Sequence, residues 1–505
     1  MKIFSAAQIQ KWDIVTIAQK PVASVELMEK AATACYKWIM RQRFANQQFC
    51  IFCGKGNNGG DGLALARLLI QADCPVKVYI AESGKKGTPD FQINLERLHR
   101  HTTGIHFIQS EDFFPQLDEN DLVIDSLFGT GLNKPLACMN AALADHINRS
   151  ATRIISIDIP SGLFADHGSK GNIVIHAAHT LSFQSFKLAF LLAENESYCG
   201  DVHILNIGLD KNFEIEEKTV FELTDEQMIK AIYRPRKKFA HKGTFGHAAL
   251  IAGCYGMMGA AVLAAKSCLR SGVGKLTSFI PKPGIDILQV SVPEAMCKPA
   301  GDEYISYVPD MDIFDAVGIG PGLGICESHI DLLKEVFKSA GNPLLADADA
   351  LNIVAAQKEL LALIPANSVL TPHPKEFERL FGEAQNDFDR LDLALQKSKE
   401  HQLYIVLKGH YTFITTPYGK GYFNSTGNAG MATPGSGDVL AGIITSFLAQ
   451  GYPSLEACIL GVYLHGLAGD IAAQKFSQEA MVAGDIVECL GDAFKKLKDN
   501  ASGFS

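Results

Sequence analysis

The chain carries no excess of positive charge, no apolar run of membrane-spanning length, no low-complexity tract and no internal repeat. A net charge of −9 and a pI near 5.9 leave no electrostatic footprint for nucleic acid or an anionic membrane surface, so ligands are expected in local pockets. The first residues, MKIFSAAQIQKWD, include a lysine but lack the apolar stretch of a secretory signal. A cytoplasmic protein that meets no membrane is therefore the expectation. Sustained heptads are missing too, which excludes a coiled coil. Cysteine is not scarce, at 12 residues, but the thiols are scattered through apolar segments, as suits a reducing compartment better than a disulfide framework. The C-x-x-C pair Cys50 and Cys53 lies in an apolar run that reads as a strand, where residues three apart face opposite sides. Zinc or redox chemistry is not expected there.

What is present is a repeating α/β rhythm. With 505 residues and 47% hydrophobic content, the chain has room for two packed cores. From residue 49 to 206, Phe49–Cys53, Val76–Ile80, Leu122–Asp125 and Ile154–Asp158 read as strands, with helices after Asp61, Thr88 and Pro135. Two further helices are expected within residues 5 to 43. Such alternation implies a mostly parallel sheet with helices on both faces. A charged stretch, DKNFEIEEK, interrupts the rhythm between residues 209 and 224. It resumes at His247–Ala252, followed by a helix over Met258–Ser271 and strands at Ala316–Ile319, Leu344–Asp347 and Tyr404–Lys408. Two α/β domains, residues 1–215 and 222–505, are expected.

The segment TGNAGMATPGSGDVLAG, starting at Thr426, places a glycine-rich turn before an apolar helix and a single carboxylate, Asp438, at that turn. Free backbone N–H groups at such a helix start favour a transferring phosphoryl group, and Asp438 is placed to take a proton from an attacking hydroxyl. An Asp at a helix start is usually only a cap, so the rest of the chain must decide.

In the N-terminal half, GKGNNGGDG (Gly54–Gly62) follows a strand and opens a helix, and its glycines would let backbone approach a phosphate. It also reads as G-x-G-x-x-G, with Glu82 near the end of the next strand where a dinucleotide enzyme would hold a ribose. Asp61 departs from that pattern, since a carboxylate in the cradle repels a pyrophosphate unless something offsets it. Asp125 closes a strand ahead of a second glycine loop, and Asp158 closes another ahead of Pro-Ser-Gly. Asn58, Asp125 and Ser161 offer hard oxygen ligands for one cation, while Asp158 and Lys187 form an acid/base couple. The bland alternative is that each acid caps the turn that follows it.

These motifs together, from the leading helices through GKGNNGGDG, DSLFGTGLNKP, DIPSG and Lys187, resemble NAD(P)H-hydrate epimerases over nearly all of residues 1 to 210. The resemblance implies a Rossmann-like three-layer α/β/α domain. It implies that Asn57, Asn58, Gly59, Gly60 and Asp61, then Gly129, Thr130, Gly131, Leu132, Asn133, Lys134 and Pro135, and Asp158, line the damaged-nucleotide site. It further implies a potassium ion on Asn58, Asp125 and Ser161, and Asp158 with Lys187 as the catalytic pair.

The C-terminal half carries a small-residue helix with Ala260, Ala261, Ala264 and Ala265, which allow close approach of a ligand or a neighbouring element. GIGPGLG (Gly318–Gly324), DADALN (Asp347–Asn352), LTPHPKEFERL with His373 between two prolines, and LKGHYT follow in order. An isolated histidine such as His373 is more often structural than functional. From about residue 225 to 495 this order resembles the ADP- or ATP-dependent NAD(P)H-hydrate dehydratases of the ribokinase-like superfamily. The resemblance implies that Ala261, Gly324, His373 and Asp438 contact the hydrate, that Lys408, Gly409, His410, Tyr411, Thr412 and Gly437 contact the adenine nucleotide, and that magnesium accompanies ADP or ATP.

The implied function is repair of reduced nicotinamide nucleotides hydrated at ring carbon 6, NADHX and NADPHX. One domain would interconvert the R and S forms, and the other would dehydrate the S form to NAD(P)H with Asp438 as base. Three alternatives stay open at this level: a ribokinase-like kinase of a small hydroxylated metabolite with an N-terminal nucleotide-binding module, an NAD-dependent oxidoreductase, and a non-catalytic N-terminal half. The choice between ADP and ATP and assembly into a homo-oligomer are also open.

Overall fold

The computed structural model describes residues 1–19, 23–42, 44, 47–82, 84, 86–150 and 152–499. Parts of the expected helical region 5–43, namely 20–22 and 43, and the end of the expected C-terminal domain, 500–505, lie outside the described residues. The chain divides into two compact units, one of Lys2–Thr219 with Asn386–Phe388 and one of Val220–Gln385 with Asp389–Ser505 and Met1.

In the first unit α1 (Ala6–Gln19) and α2 (Ser24–Arg41) precede β1 (Phe49–Cys53), α3 (Asn57–Gln71), β2 (Val76–Ala81), α4 (Pro89–His99), β3 (Ile105–Ile108), β4 (Leu122–Ser126), α5 (Cys138–Arg149), β5 (Arg153–Ile157), β6 (His179–Phe183) and β7 (Asp201–Leu205). The sheet order is β3-β2-β1-β4-β5-β6-β7, with every pair parallel. All five residues of β1 and of β4 are buried, as expected of central strands covered on both faces. Cys50 and Cys53 are buried free thiols within β1. The helix after the first glycine turn begins at Asn57, earlier than expected, so Asn57 to Asp61 form its first turn.

The second unit contains β8 (Phe221–Leu223), β9 (His247–Ile251), α6 (Met258–Arg270), β10 (Lys275–Ile280), β11 (Met296–Pro299), β12 (Ala316–Ile319), α7 (Ser328–Ser339), β13 (Leu345–Ala346), α8 (Ala348–Ala356), β14 (Val369–Leu370), α9 (Pro374–Phe381), β15 (Tyr404–Leu407), β16 (Phe413–Thr415), β17 (Gly421–Phe423), α10 (Ser436–Ala449), α11 (Ser454–Phe476) and α12 (Ala483–Asp499). Its strands run β8-β17-β16-β15-β14-β13-β12-β9-β10-β11. Pairing is parallel from β15 across to β11 and antiparallel through the β15-β16-β17 meander.

The small residues of α6 serve a neighbouring helix. A Cβ on Gly442 of α10 would stand 2.1 Å from Ser267 Oγ and 2.2 Å from the Ala264 carbonyl oxygen, so the two backbones meet where neither helix has bulk. That packing fixes the start of α10, where Asp438 sits. The 23-residue α11 is long and apolar enough to cross a membrane by length and composition, which the sequence reading had not expected; 78% of its apolar stretch is buried inside the protein, where it forms core.

Candidate functional site

In the first unit the chemistry gathers at the carboxyl ends of β1, β4, β5 and β6, where ligands of open parallel sheets bind. The glycines of the first loop mainly permit packing. A Cβ on Gly54 would lie 1.9 Å from the Leu127 carbonyl oxygen, and one on Gly59 1.7 Å from the Gly54 carbonyl oxygen. Close packing alone therefore requires glycine at both positions. Asn58, Gly59 and Gly60 are buried, Gly60 against Met28 and Phe91, while Asn57 stays exposed. Ser126 donates its hydroxyl to the Asn58 carbonyl oxygen, which locks the first turn of α3 onto β4.

Asp158 follows β5 with φ 70°, a left-handed conformation that is strained for a non-glycine residue and turns its carboxylate into the site. Its Oδ2 accepts the Thr130 backbone N–H at 2.7 Å and the Thr130 hydroxyl, and its Oδ1 faces Lys187 Nζ at 2.8 Å. The Lys187 side chain is 1% exposed and also donates to the Ser182 hydroxyl. Burial works against the charge on Asp158, but Lys187 and the Thr130 donors outweigh it and hold the carboxyl below its ordinary range. Asp61 shows the reverse: burial first, then the charges of Asp158, Asp13 and Asp90, push it well above that range.

The loop 129–135 divides. Gly129 and Thr130 join the ion pair, whereas Gly131, Asn133, Lys134 and Pro135 are exposed and Leu132 is half-buried. A Cβ on Gly129 would lie 2.7 Å from Asp158 Oδ2 and 3.3 Å from Asn58 Cβ. Lys187 and Thr130 pin that carboxylate, so Gly129→Ala must displace it. Turnover in this unit is expected to fall about a hundredfold, since displacements near 1 Å have such effects. Unchanged epimer exchange by the alanine variant would contradict the placement.

Asp125 is fully buried. Its Oδ1 accepts the Ser161 hydroxyl at 2.6 Å, and its Oδ2 accepts the Ser156 hydroxyl at 2.7 Å and the Ser161 N–H at 2.9 Å. Burial raises its proton affinity against those donors. Both amide atoms of the buried Asn58 side chain have no hydrogen-bond partner among the described residues. Glu82, the dinucleotide-type ribose acid, is engaged by Lys55 and by the Gly84 N–H at 3.0 Å.

In the second unit Gly435, with φ 91°, turns the chain into α10 and places Asp438 in the first helical turn. Burial, then the charge of Asp347, pushes the Asp438 carboxyl up to about 6, with Lys408 opposing. Lys408 ends β15, and its Nζ lies 2.9 Å from Asp347 Oδ1 and 3.8 Å from Glu376 Oε2. Burial works against this ammonium, but Asp347 and Glu376 outweigh it and keep it charged. A Cβ on Gly437 would meet Lys408 Nζ at 3.4 Å and Asp347 Oδ2 at 3.8 Å, so the lysine lies against the turn that opens α10.

Of the other expected residues, His373 and Gly324 connect to this centre through Glu376 and Asp349. His373 caps α9: its Nδ1 accepts the N–H groups of Lys375 and Glu376 at 3.2 and 3.4 Å, and Glu376 returns a bond to the His373 N–H at 2.8 Å. Burial and Lys408 hold its ring below the ordinary histidine range, so it is neutral. The Gly324 N–H donates to Asp349 at 2.8 Å, and Asp349 in turn acts on Asp438. Ala261 is buried, 3.1 Å from where a Cβ on Gly253 would stand. Gly409 and Thr412 close a turn through the Thr412 hydroxyl at 2.9 Å, and His410 and Tyr411 meet edge to face with ring centroids 4.6 Å apart.

Sequence reasoning passed over Asp347, Glu376 and His465. Asp347 opens DADALN directly after a strand, and that position was the available signal. His465 is one polar residue within the apolar α11, and only the structure shows its ring nitrogen 3.3 Å from the Ser436 hydroxyl at the start of α10. Burial lowers that ring to about 4, so it too is neutral.

Residues 248–491 match the family model described as NAD(P)H-hydrate dehydratase, and residues 24–189 the model described as YjeF-related protein N-terminus. The bifunctional NAD(P)H-hydrate repair enzyme Nnr of Moorella thermoacetica is 34% identical over 520 residues, spanning 99% of this chain and 98% of that protein. Its Escherichia coli counterpart is 33% identical over 469 residues, spanning 92% and 88%. Among solved structures, the ADP/ATP-dependent NAD(P)H-hydrate dehydratase of Bacillus subtilis, co-crystallised with ATP and Mg2+, is 30% identical, covers 55% of this chain and 98% of its own, and has a TM-score of 0.47. Likeness to the Moorella protein along almost the whole of both chains places this one in the family of bifunctional NAD(P)H-hydrate repair enzymes.

Proposed function

We propose that the first unit interconverts the R and S epimers of NADHX and NADPHX, and that the second dehydrates the S epimer to NADH or NADPH with ADP or ATP as phosphate donor. The observation that carries this reading is that each unit holds a buried lysine–carboxylate pair at the carboxyl ends of its parallel strands, Lys187 with Asp158 and Lys408 with Asp347, the second lying against the turn that opens α10 with Asp438. The relatives' names pair two activities in one chain, and two sites of this kind match that pairing. A small-molecule kinase would need only the second.

In the first unit Asn57 to Asp61, Gly129 to Pro135 and Asp158 hold the hydrated nucleotide, and Asp158 with Lys187 moves protons at carbon 6. A potassium ion fits Asn58, Asp125 and Ser161: the orphaned Asn58 amide oxygen and the buried Asp125 carboxylate are hard oxygen donors next to the ion pair. When bound, it would offset the negative charge of Asp158 and favour the ionised form of Asp125.

In the second unit Ala261, Gly324, His373 and Asp438 face the hydrate, and Lys408 to Thr412 with Gly437 receive the adenine nucleotide. Asp438 accepts the proton of the 6-hydroxyl as that oxygen attacks the terminal phosphorus. The Lys408 ammonium and the N–H groups opening α10 stabilise charge on the phosphoryl oxygens. Phosphate then departs with the former hydroxyl oxygen as the N1 lone pair forms the bond to carbon 6, and loss of a proton from carbon 5 to the departing phosphate restores the dihydropyridine.

Among the described residues no group of three or more His, Cys, Asp or Glu side chains converges as a metal cage. Magnesium is usually held by one or two carboxylates together with substrate phosphates. Asp347 and Glu376 fit it: both are buried carboxylates beside Lys408, and burial raises Glu376 above its ordinary range. When bound, the ion would neutralise phosphate charge.

The base must be ionised to act, so its activity is present above its pKa and lost as pH falls through it. For dehydration, kcat/KM is expected to fall about tenfold per pH unit below about 6, the position of Asp438 in the free enzyme. A profile flat through that range would remove Asp438 from the role of base. Withholding nucleotide tests the division of labour, because dehydration should stop while the two epimers continue to exchange.

A further inference from the structure

His465 is a buried imidazole that the mechanism above leaves unused. It lies on α11, where every residue from Ala457 to Gly469 is buried and the stretch reads ACILGVYLHGLAG. A polar ring set into such apolar packing costs free energy unless its nitrogens are engaged. Its Nε2 lies 3.3 Å from the Ser436 hydroxyl oxygen. Ser436 is the first residue of α10, followed directly by Gly437 and Asp438, and all three are half-buried and so open to a ligand. Among the described residues no other protein group bonds the Ser436 hydroxyl.

The turn does not need His465 to keep its shape. Asp470 on α11 accepts the Gly427 N–H at 3.0 Å and the Asn428 side-chain amide at 2.9 Å, and Asn428 accepts the Gly430 N–H at 3.0 Å. The Thr426 hydroxyl donates to the Tyr463 carbonyl oxygen at 2.8 Å. Met431 packs on Gly469, where a Cβ would stand 2.3 Å from its Sδ. The segment leading into α10 is thereby fastened to α11, and the close approach at Gly442 fastens α10 itself to α6. What remains to the contact between His465 and Ser436 is local: it sets the direction of one hydroxyl.

A serine hydroxyl has one hydrogen and two lone pairs, and a neutral imidazole has one N–H. Burial, with the Ser436 backbone opposing and Lys408 adding to it, lowers the His465 ring to about 4, so the ring is neutral near pH 7. With the hydrogen on Nε2, the ring donates to Ser436 Oγ and leaves the hydroxyl hydrogen free. With it on Nδ1, the ring takes that hydrogen, and Ser436 is left with only lone pairs to offer. The ammonium of Lys408, which lies against Gly437, and the N–H groups opening α10 are all donors, as an anionic phosphoryl group requires, and only the first arrangement adds to them. We propose that the Ser436 hydroxyl is a further donor to the transferring phosphoryl group and that His465 is the positioning residue that frees its hydrogen, an assignment that rests on the dehydratase reading above.

Dehydration of S NADHX, read as return of nicotinamide absorbance with ADP and with ATP, tests this in the full chain and in Ser436→Ala, His465→Leu, His465→Gln and the double variant of Ser436→Ala with His465→Leu. Ser436→Ala should lower kcat/KM for the nucleotide about tenfold to a hundredfold, the worth of one hydrogen bond to a charged group, and leave KM for the hydrate in place. His465→Leu should fall to the same level, whereas His465→Gln, whose amide nitrogen reaches the position of Nε2, should keep most of the wild-type value. Because His465 acts through Ser436, His465→Leu should cost nothing further in the Ser436→Ala background. A merely structural histidine would give the same loss in both backgrounds, and that result, or a wild-type kcat/KM in Ser436→Ala, overturns the proposal. If His465→Leu does not fold, the other two single variants decide: His465→Gln no better than Ser436→Ala would contradict the positioning role. A wild-type chain that dehydrates with neither nucleotide would instead overturn the dehydratase reading itself.

Discussion

Asp438→Asn is expected to abolish nucleotide-dependent dehydration and to leave epimer exchange intact. The amide keeps the shape of the side chain and its place in the first turn of α10, so the helix start and its packing against α6 persist. It cannot accept the proton of the 6-hydroxyl, and loss of a general base costs about a hundredfold to ten-thousandfold. The loss should fall on kcat more than on KM, because Lys408 and the backbone of the turn still receive the nucleotide. Substituting Asn also removes a like charge from Asp347, so thermal stability should hold or rise slightly. Dehydration at the wild-type rate would remove Asp438 from the reaction.

For Asp158→Asn the converse holds. Exchange between epimers should fall by about a hundredfold or more while dehydration of the S epimer proceeds normally, so a mixed sample repairs quickly to the S fraction and then stalls. This variant has a structural cost that Asp438→Asn lacks. Lys187 is 1% exposed and would keep its charge with no carboxylate opposite, and breaking a buried pair in this way commonly costs about 3 to 5 kcal/mol. Asp158→Glu separates the two effects: it preserves the charge for Lys187 but moves the carboxylate away from the Thr130 donors. A folded Asp158→Glu chain with slow exchange supports the catalytic role. Normal exchange by both variants would contradict it.

The frame of these sites was legible in the sequence because parallel α/β units put glycine turns and acids at strand ends, and such ends lie on one edge of the sheet. Asp125, Asp158 and Asp438 could be found that way. Lys187 was legible only through a short motif, since the ion pair that gives it meaning joins segments 29 residues apart in sequence (187 − 158). The packing need at Gly54 and Gly59 was not legible for a physical reason: a glycine needed for close packing and one needed by a phosphate look alike until the neighbouring carbonyl is in view. The strands β3, β6, β7, β8, β10, β11 and β14 and the antiparallel β16-β17 pair went unread; β16 and β17, at three residues each, are too short for their periodicity to show.

Return of nicotinamide absorbance when the chain meets a mixture of both NADHX epimers, magnesium and either ADP or ATP tests the central claim most directly. Complete, nucleotide-dependent recovery is the predicted result, and the nucleotide that supports it identifies the phosphate donor. Recovery that halts with one epimer left would show a dehydratase joined to an inactive partner, and no recovery with either nucleotide would contradict the assignment of the second site.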